Sequence, residues 1–169
     1  RSLVAVLAEA RQHDQQVLAF SEEVRARADQ RAALERDLRG AIANAQFELF
    51  LQPKFNAASH RLVGAEALIR WRHPDHGLVS PAAFIPALGE TGLVLEVGAW
   101  VRREGLRIWK EWQAQGHDGL RLAVNVSARE LRHSDFVAQC AGLLEPHLGE
   151  HGLDIEITES MLMDDISKS

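Results

Sequence analysis

The chain has 169 residues, 46% of them apolar and 25% charged, which supports one domain with a real core and is too apolar for a disordered tail. Its formal net charge of −5 argues against binding extended nucleic acid or anionic membrane, both of which need basic surface, but leaves room for a local basic pocket around a small phosphate ligand. The lone cysteine, Cys140, cannot close an internal disulfide and reads as a buried, inert thiol of a reducing compartment, and no apolar run approaches the ~20 residues of a membrane span.

In chain order, residues 2–12 read as a helix with Leu3, Val4, Leu7 and Ala10 on one face. Gln15 to Phe20 reads as a short strand. A second helix is expected from Ser21, a plausible N-cap followed by Glu22 and Glu23. Val24, Ala28, Leu34, Leu38 and Ile42 give it one apolar stripe. Phe47 to Pro53 reads as a strand, Ala57 to His60 as a turn and Arg61 to Trp71 as the next strand. Ser80-Pro81 has the form of a helix start, Pro86 is expected to end that helix or begin another, and Gly92 to stop it. A long helix follows, with Val97, Trp100, Val101, Ile108 and Trp112 on one face; then a strand from Leu120 to Val126, a helix from Phe136 to Leu148 and a strand from Leu153 to Thr158. Alternation of this kind implies an α/β fold with mostly parallel pairing.

Three of these strands end in oxygen-bearing side chains among apolar ones: Glu66, Asn125 and Glu156. Polar residues near the carboxyl ends of parallel strands point into ligand sites, and two carboxylates with an amide are hard donors suited to magnesium or manganese. Composition and spacing alone leave a shared metal site and three unrelated surface positions both open. His73-Pro74-Asp75-His76 has metal-like spacing but reads better as a turn. The tryptophans Trp71, Trp100, Trp109 and Trp112 read as core rather than as a base-stacking platform.

Glu66-Ala67-Leu68 followed by Ile69-Arg70-Trp71 resembles the signature of the EAL domain family. The likeness continues in order through Leu51-Gln52-Pro53, His73-Pro74, Ser80 to Pro86, Thr91-Gly92-Leu93, Asn125-Val126-Ser127 and Glu156-Ile157-Thr158-Glu159-Ser160. It covers residues 47–165. The resemblance implies a modified (β/α)8 TIM-like barrel with an antiparallel first strand, here incomplete and preceded by N-terminal helices. The implied activity is magnesium- or manganese-dependent hydrolysis of cyclic di-GMP to linear pGpG. It implies Glu66, Asn125 and Glu156 as metal ligands acting catalytically through the metal, Gln52, Leu68 and Arg70 as substrate-binding residues, and Glu159 as the anchor of a later loop. Two positions depart from the pattern: Leu51 stands where tyrosine is common and Gly89 where glutamate is usual.

The chain starts at Arg1 and stops before the family's aspartate-rich loop and lysine, so it reads as part of a longer protein. Residues 1–20 resemble the tail of a GGDEF domain, 21–45 a linker helix and 46–169 the N-terminal half of an EAL domain. Half a barrel leaves strand edges unpaired, so the piece alone is expected to be inactive and either unstable or oligomeric. The parent is expected to be a cytoplasmic enzyme, with any membrane anchor in other segments, and to dimerise through the EAL domain or linker helix. The alternative is a receptor that binds cyclic di-GMP without turnover.

Overall fold

The computed structural model describes residues 3–144 and 152–157. The chain divides into two compact units, Arg1–Asp37 and Leu38–Ser169.

The described part of the first unit is helical throughout and belongs to α1 (Leu3–Ala43), whose last residues lie in the second unit. The strand expected at 15–20 is therefore absent, and Ser21 lies inside the helix instead of capping it. No glycine or proline interrupts residues 3–39, and a short mixed run between two helical stretches cannot be assigned by period alone. Alanine, arginine, glutamine and glutamate, all good helix formers, carry the helix through it. Of the expected stripe, Val24 and Ala28 are exposed, whereas Leu38 is buried together with Ala41.

The second unit is built on a five-stranded sheet of order β1-β2-β4-β5, with β3 pairing off the path to β2. Its strands are β1 (Phe47–Phe55), β2 (Leu62–His73), β3 (Gly77–Val79), β4 (Arg121–Val126) and β5 (Leu153–Ile157). β1 runs antiparallel to β2, while β2, β4 and β5 are mutually parallel. Parallel neighbours need crossover connections. The first uses α2 (Pro81–Thr91) and α3 (Val94–Ala114), and the second includes α4 (Ala128–Leu131) and α5 (Phe136–Leu144). The expected α5 continuation over 145–148 lies outside the described residues.

One face of the sheet is packed against α2 and α3. Phe47, Ala65, Ala67, Trp71, Leu122, Val124 and Val126 are buried there, as are Phe84, Leu88, Val97, Val101 and Trp109 from the helices. Phe47, Trp71 and Phe84 form an aromatic triangle with ring centroids 5.8–6.2 Å apart. Trp71 Nε1 donates to Gln46 Oε1 at 3.1 Å, so the buried indole keeps its hydrogen bond. The core reading of the tryptophans holds most fully for Trp71 and Trp109, while Trp100 and Trp112 are half-buried.

Local chemistry explains the element ends. Ser80 is extended and Pro81 opens α2; Gly92 closes it in the left-handed region at φ 82°. Pro86 neither ends nor begins a helix; it sits inside α2. The bond it forfeits would have gone to the carbonyl of Ala82, an exposed residue of the first turn that water can reach. The turn reading of residues 73–76 is correct: His73 Nδ1 accepts from the Asp75 and His76 backbone N–H groups at 3.0 and 3.3 Å. That turn joins β2 to β3, a three-residue strand not expected from the sequence.

Glycine is demanded where β2 meets β4. A Cβ on Gly64 would lie 2.1 Å from the Arg121 carbonyl oxygen, its partner in register. Gly89, in α2, meets nothing within 4 Å. Gly89→Ala is therefore expected to raise stability by about 0.5–1 kcal/mol, and Gly64→Ala to lower it by about 1–3 kcal/mol. Urea midpoints at unchanged slope check both.

Candidate functional site

The other face of the sheet follows from the two-residue period of the strands. Register sets Glu48 against Arg70, Phe50 against Leu68, Gln52 against Glu66 and Lys54 against Gly64. Glu66, Leu68 and Arg70 therefore share a face with Gln52 and Lys54, while Ala65, Ala67 and Trp71 point into the helix layer. Across the parallel pairs, Ala123 stands beside Glu66, and Glu156 stands beside Asn125. Asn125 and Glu156 are each the last residue but one of their strand. Leu51, by the same alternation, faces away from Gln52, so the departure at that position bears on the helix side of the sheet.

Asn125 Nδ2 donates to Glu66 Oε1 at 2.7 Å. Lys54, from β1, forms an ion pair with Glu156 Oε1 on β5, reaching over the intervening strands. Lys54 is not among the residues singled out from the sequence, although it stands two residues after Gln52 and so on the same face. Arg70 lies with Cζ 5.4 Å from the centroid of the Phe50 ring, and its Nη1 donates to the Ile69 carbonyl at 2.9 Å. A guanidinium has five N–H donors in all. A cavity of about 310 Å³ lies at the carboxyl ends of β2 and β4, between the sheet and the helix layer: Arg70, Asn125 and Ser127 line it together with Leu88, Val97 and Glu130.

The structure thus brings Glu66 and Asn125 into direct contact, Glu156 next to Asn125 in register, and Gln52, Leu68 and Arg70 onto the same face. Glu159 lies outside the described residues. Among the described residues no three His, Cys, Asp or Glu side chains gather as a metal site. Glu66 and Glu156 are two acids, with Asn125 as the third donor. Hard oxygen donors of this kind suit a divalent cation of the magnesium class, and each of the two carboxylates is held by an N–H donor, from Asn125 or from Lys54. Turning the Asn125 amide over would present Oδ1 in place of Nδ2.

At the edge of this face Arg121 pairs with Asp154, with Nε donating to Oδ2 at 2.8 Å. The hydrogen bond from Arg121 holds the Asp154 carboxyl below its ordinary range and raises Arg121 in return. Cys140 is half-buried, not fully buried as expected, and burial pushes its thiol up, which keeps it unreactive.

The EAL domain family model matches residues 35–168. The bifunctional diguanylate cyclase/cyclic di-GMP phosphodiesterase MucR of Pseudomonas aeruginosa is 38% identical over 151 residues, 89% of this chain and 22% of that protein. A cyclic di-GMP phosphodiesterase of the same organism is 39% identical over 122 residues, 72% of this chain and 21% of that protein. The chain thus spans about a fifth of the length of these curated relatives. The solved MucR phosphodiesterase in complex with c-di-GMP matches at TM-score 0.74 and 39% identity, over 80% of this chain and 56% of that one. This likeness, with the antiparallel β1 and parallel β2, β4 and β5, bears out the α/β fold expected of part of a TIM-like barrel. Among the described residues no helix is long and apolar enough to cross a membrane.

A depressed carboxyl pKa stabilises the fold above the group's unfolded pKa, and that stability is lost as pH falls through the folded value. Arg121→Ala is accordingly expected to move the Asp154 titration midpoint upward into the ordinary carboxylate range. Side-chain carboxyl NMR across pH 2–6 reads it directly (about the range where aspartates titrate).

Proposed function

Because the chain belongs to the EAL domain family, we propose that its polar sheet face binds cyclic di-GMP, and that the full-length protein carrying it hydrolyses this substrate to linear pGpG with magnesium or manganese. The observation that most directly supports this reading is the meeting of Glu66, Asn125 and Glu156 on three parallel strands, with Arg70 on the same face. MucR and the second relative carry phosphodiesterase names, and the solved MucR domain holds c-di-GMP.

Hydrolysis forms one bond from water oxygen to phosphorus and breaks one phosphorus–ribose oxygen bond, leaving a linear dinucleotide. Bound divalent cations would supply an activated water and charge neutralisation at the phosphoryl group. Glu66, Asn125 and Glu156 would hold them with hard oxygen donors. Arg70, with Cζ over the Phe50 ring, would donate charged N–H groups to a phosphate oxygen. Gln52, opposite Glu66 in register, would hydrogen-bond the substrate. The 169-residue chain by itself is expected to be inactive, since it spans 56% of the matched MucR chain.

Chromatography of cyclic di-GMP incubated with the full-length protein tests this. Linear product should appear with Mg²⁺ or Mn²⁺ and stop with a chelator. Glu66→Ala, Asn125→Ala and Glu156→Ala should each lower kcat by about 10²-fold or more. Arg70→Ala should act mainly through KM, by about tenfold. Binding without any product would support the receptor reading instead; neither binding nor product would overturn both.

A further inference from the structure

Two buried charges lie behind this face, and the proposed chemistry does not use them. Arg102 of α3 and Glu130 of α4 are 5% and 3% exposed, and they form an ion pair through Nη1 and Oε1. Removing two charges from water is costly, and a buried pair is often no more stabilising than apolar side chains of the same size. The cost therefore calls for a reason other than stability.

The contacts of Glu130 supply one. Its Oε2 accepts from the Ser127 backbone N–H at 2.9 Å and from Ser127 Oγ at 2.7 Å, while its own backbone N–H donates to Ser127 Oγ at 3.3 Å. This is a reciprocal capping box. Ser127 follows β4 directly and stands two residues after Asn125. Its backbone is thus gripped by a carboxylate that is itself held from behind. Arg102 is fixed in turn: Cζ lies 5.0 Å from the Phe136 ring centroid, and Nη2 donates to Gln139 Oε1 at 3.4 Å. Gly98, one turn before Arg102 on α3, opens the space. A Cβ there would lie 1.8 Å from Glu130 Oε1.

We infer that the Arg102–Glu130 pair, seated in the notch at Gly98, is a positioning device that anchors the carboxyl end of β4 and so holds Asn125 against Glu66. The anchoring stands on these contacts alone; its effect on turnover rests on the proposed function. Arg102 and Glu130 are positioning residues, since their polar contacts go to each other, to Ser127 and to Gln139 and not to Glu66, Asn125 or Glu156.

Two variants separate positioning from mere stability. Gly98→Ala improves helix propensity in α3 but pushes the Glu130 carboxylate away. Arg102→Met with Glu130→Leu removes both charges together, which buried pairs often tolerate. The side-chain amide resonances of Asn125 and backbone hydrogen exchange over 124–127 are read by NMR in the full-length protein without ligand. Both variants should shift the Asn125 amide signals and speed exchange at 124–127 by about tenfold or more, with the core around Phe84 and Trp71 unchanged. If the double variant does not fold, Gly98→Ala decides alone. If Gly98→Ala also fails to fold, Glu130→Gln, which keeps the cap but loses the charge, decides by a smaller change confined to 125–127. Native Asn125 signals and exchange in the folded variant that decides would overturn the inference. Because no ligand is involved, the result holds whether or not cyclic di-GMP is the substrate. If it is, kcat should fall more than KM rises.

Discussion

The pairing of β2 with neighbours on both sides decides what each residue of the second unit can do. Alternate side chains of this strand enter two different environments: Ala65, Ala67 and Trp71 pack beneath α2 and α3, while Glu66, Leu68 and Arg70 stand on the other face. A slip of one residue would exchange the sets, burying a carboxylate and a guanidinium in the helix layer and exposing the tryptophan. The register is defended at Gly64, where only a residue without Cβ allows the Arg121 backbone so close. Packing of the core and placement of the polar face are thus one constraint.

The polar face is compensated as it stands. Glu66 accepts from Asn125, Glu156 pairs with Lys54 and Asp154 pairs with Arg121. Carboxylates gathered on one face repel one another, and each here has an N–H donor close by. A divalent cation at Glu66, Asn125 and Glu156 would have to displace the amide contact and the lysine. Lys54 therefore belongs in any account of how this face takes up charge.

Much of this was legible from residue order alone. The strand read over 61–71, Ser80-Pro81 as a helix start and Gly92 as its stop rest on local signals that tertiary contacts did not override. Residues 15–20 failed as a strand because a short mixed run without a breaker takes the state of its flanks. Pro86 failed as a boundary because the bond it loses falls in a solvent-exposed first turn. β3 is three residues long and exists through pairing with β2, which no local period reports. Of the site, Asn125 and Glu156 were marked by polar atoms at strand ends; Glu66, expected at the end of its strand as well, lies in the middle of β2, which runs on to His73. Gln52, Leu68 and Arg70 were marked by resemblance. Lys54 carried a weaker mark, the period from Gln52. The buried Arg102–Glu130 pair had none, since residues 28 apart in sequence declare no contact.

The most direct test of the central claim, that this sheet face is the ligand face, is a crystal structure of the full-length protein with cyclic di-GMP and a divalent cation. The account predicts the cation bound by Glu66, Asn125 and Glu156 with Lys54 displaced, and a phosphate within hydrogen-bonding reach of Arg70. Cyclic di-GMP bound elsewhere, with the contacts of Lys54 to Glu156 and Asn125 to Glu66 intact, would contradict it.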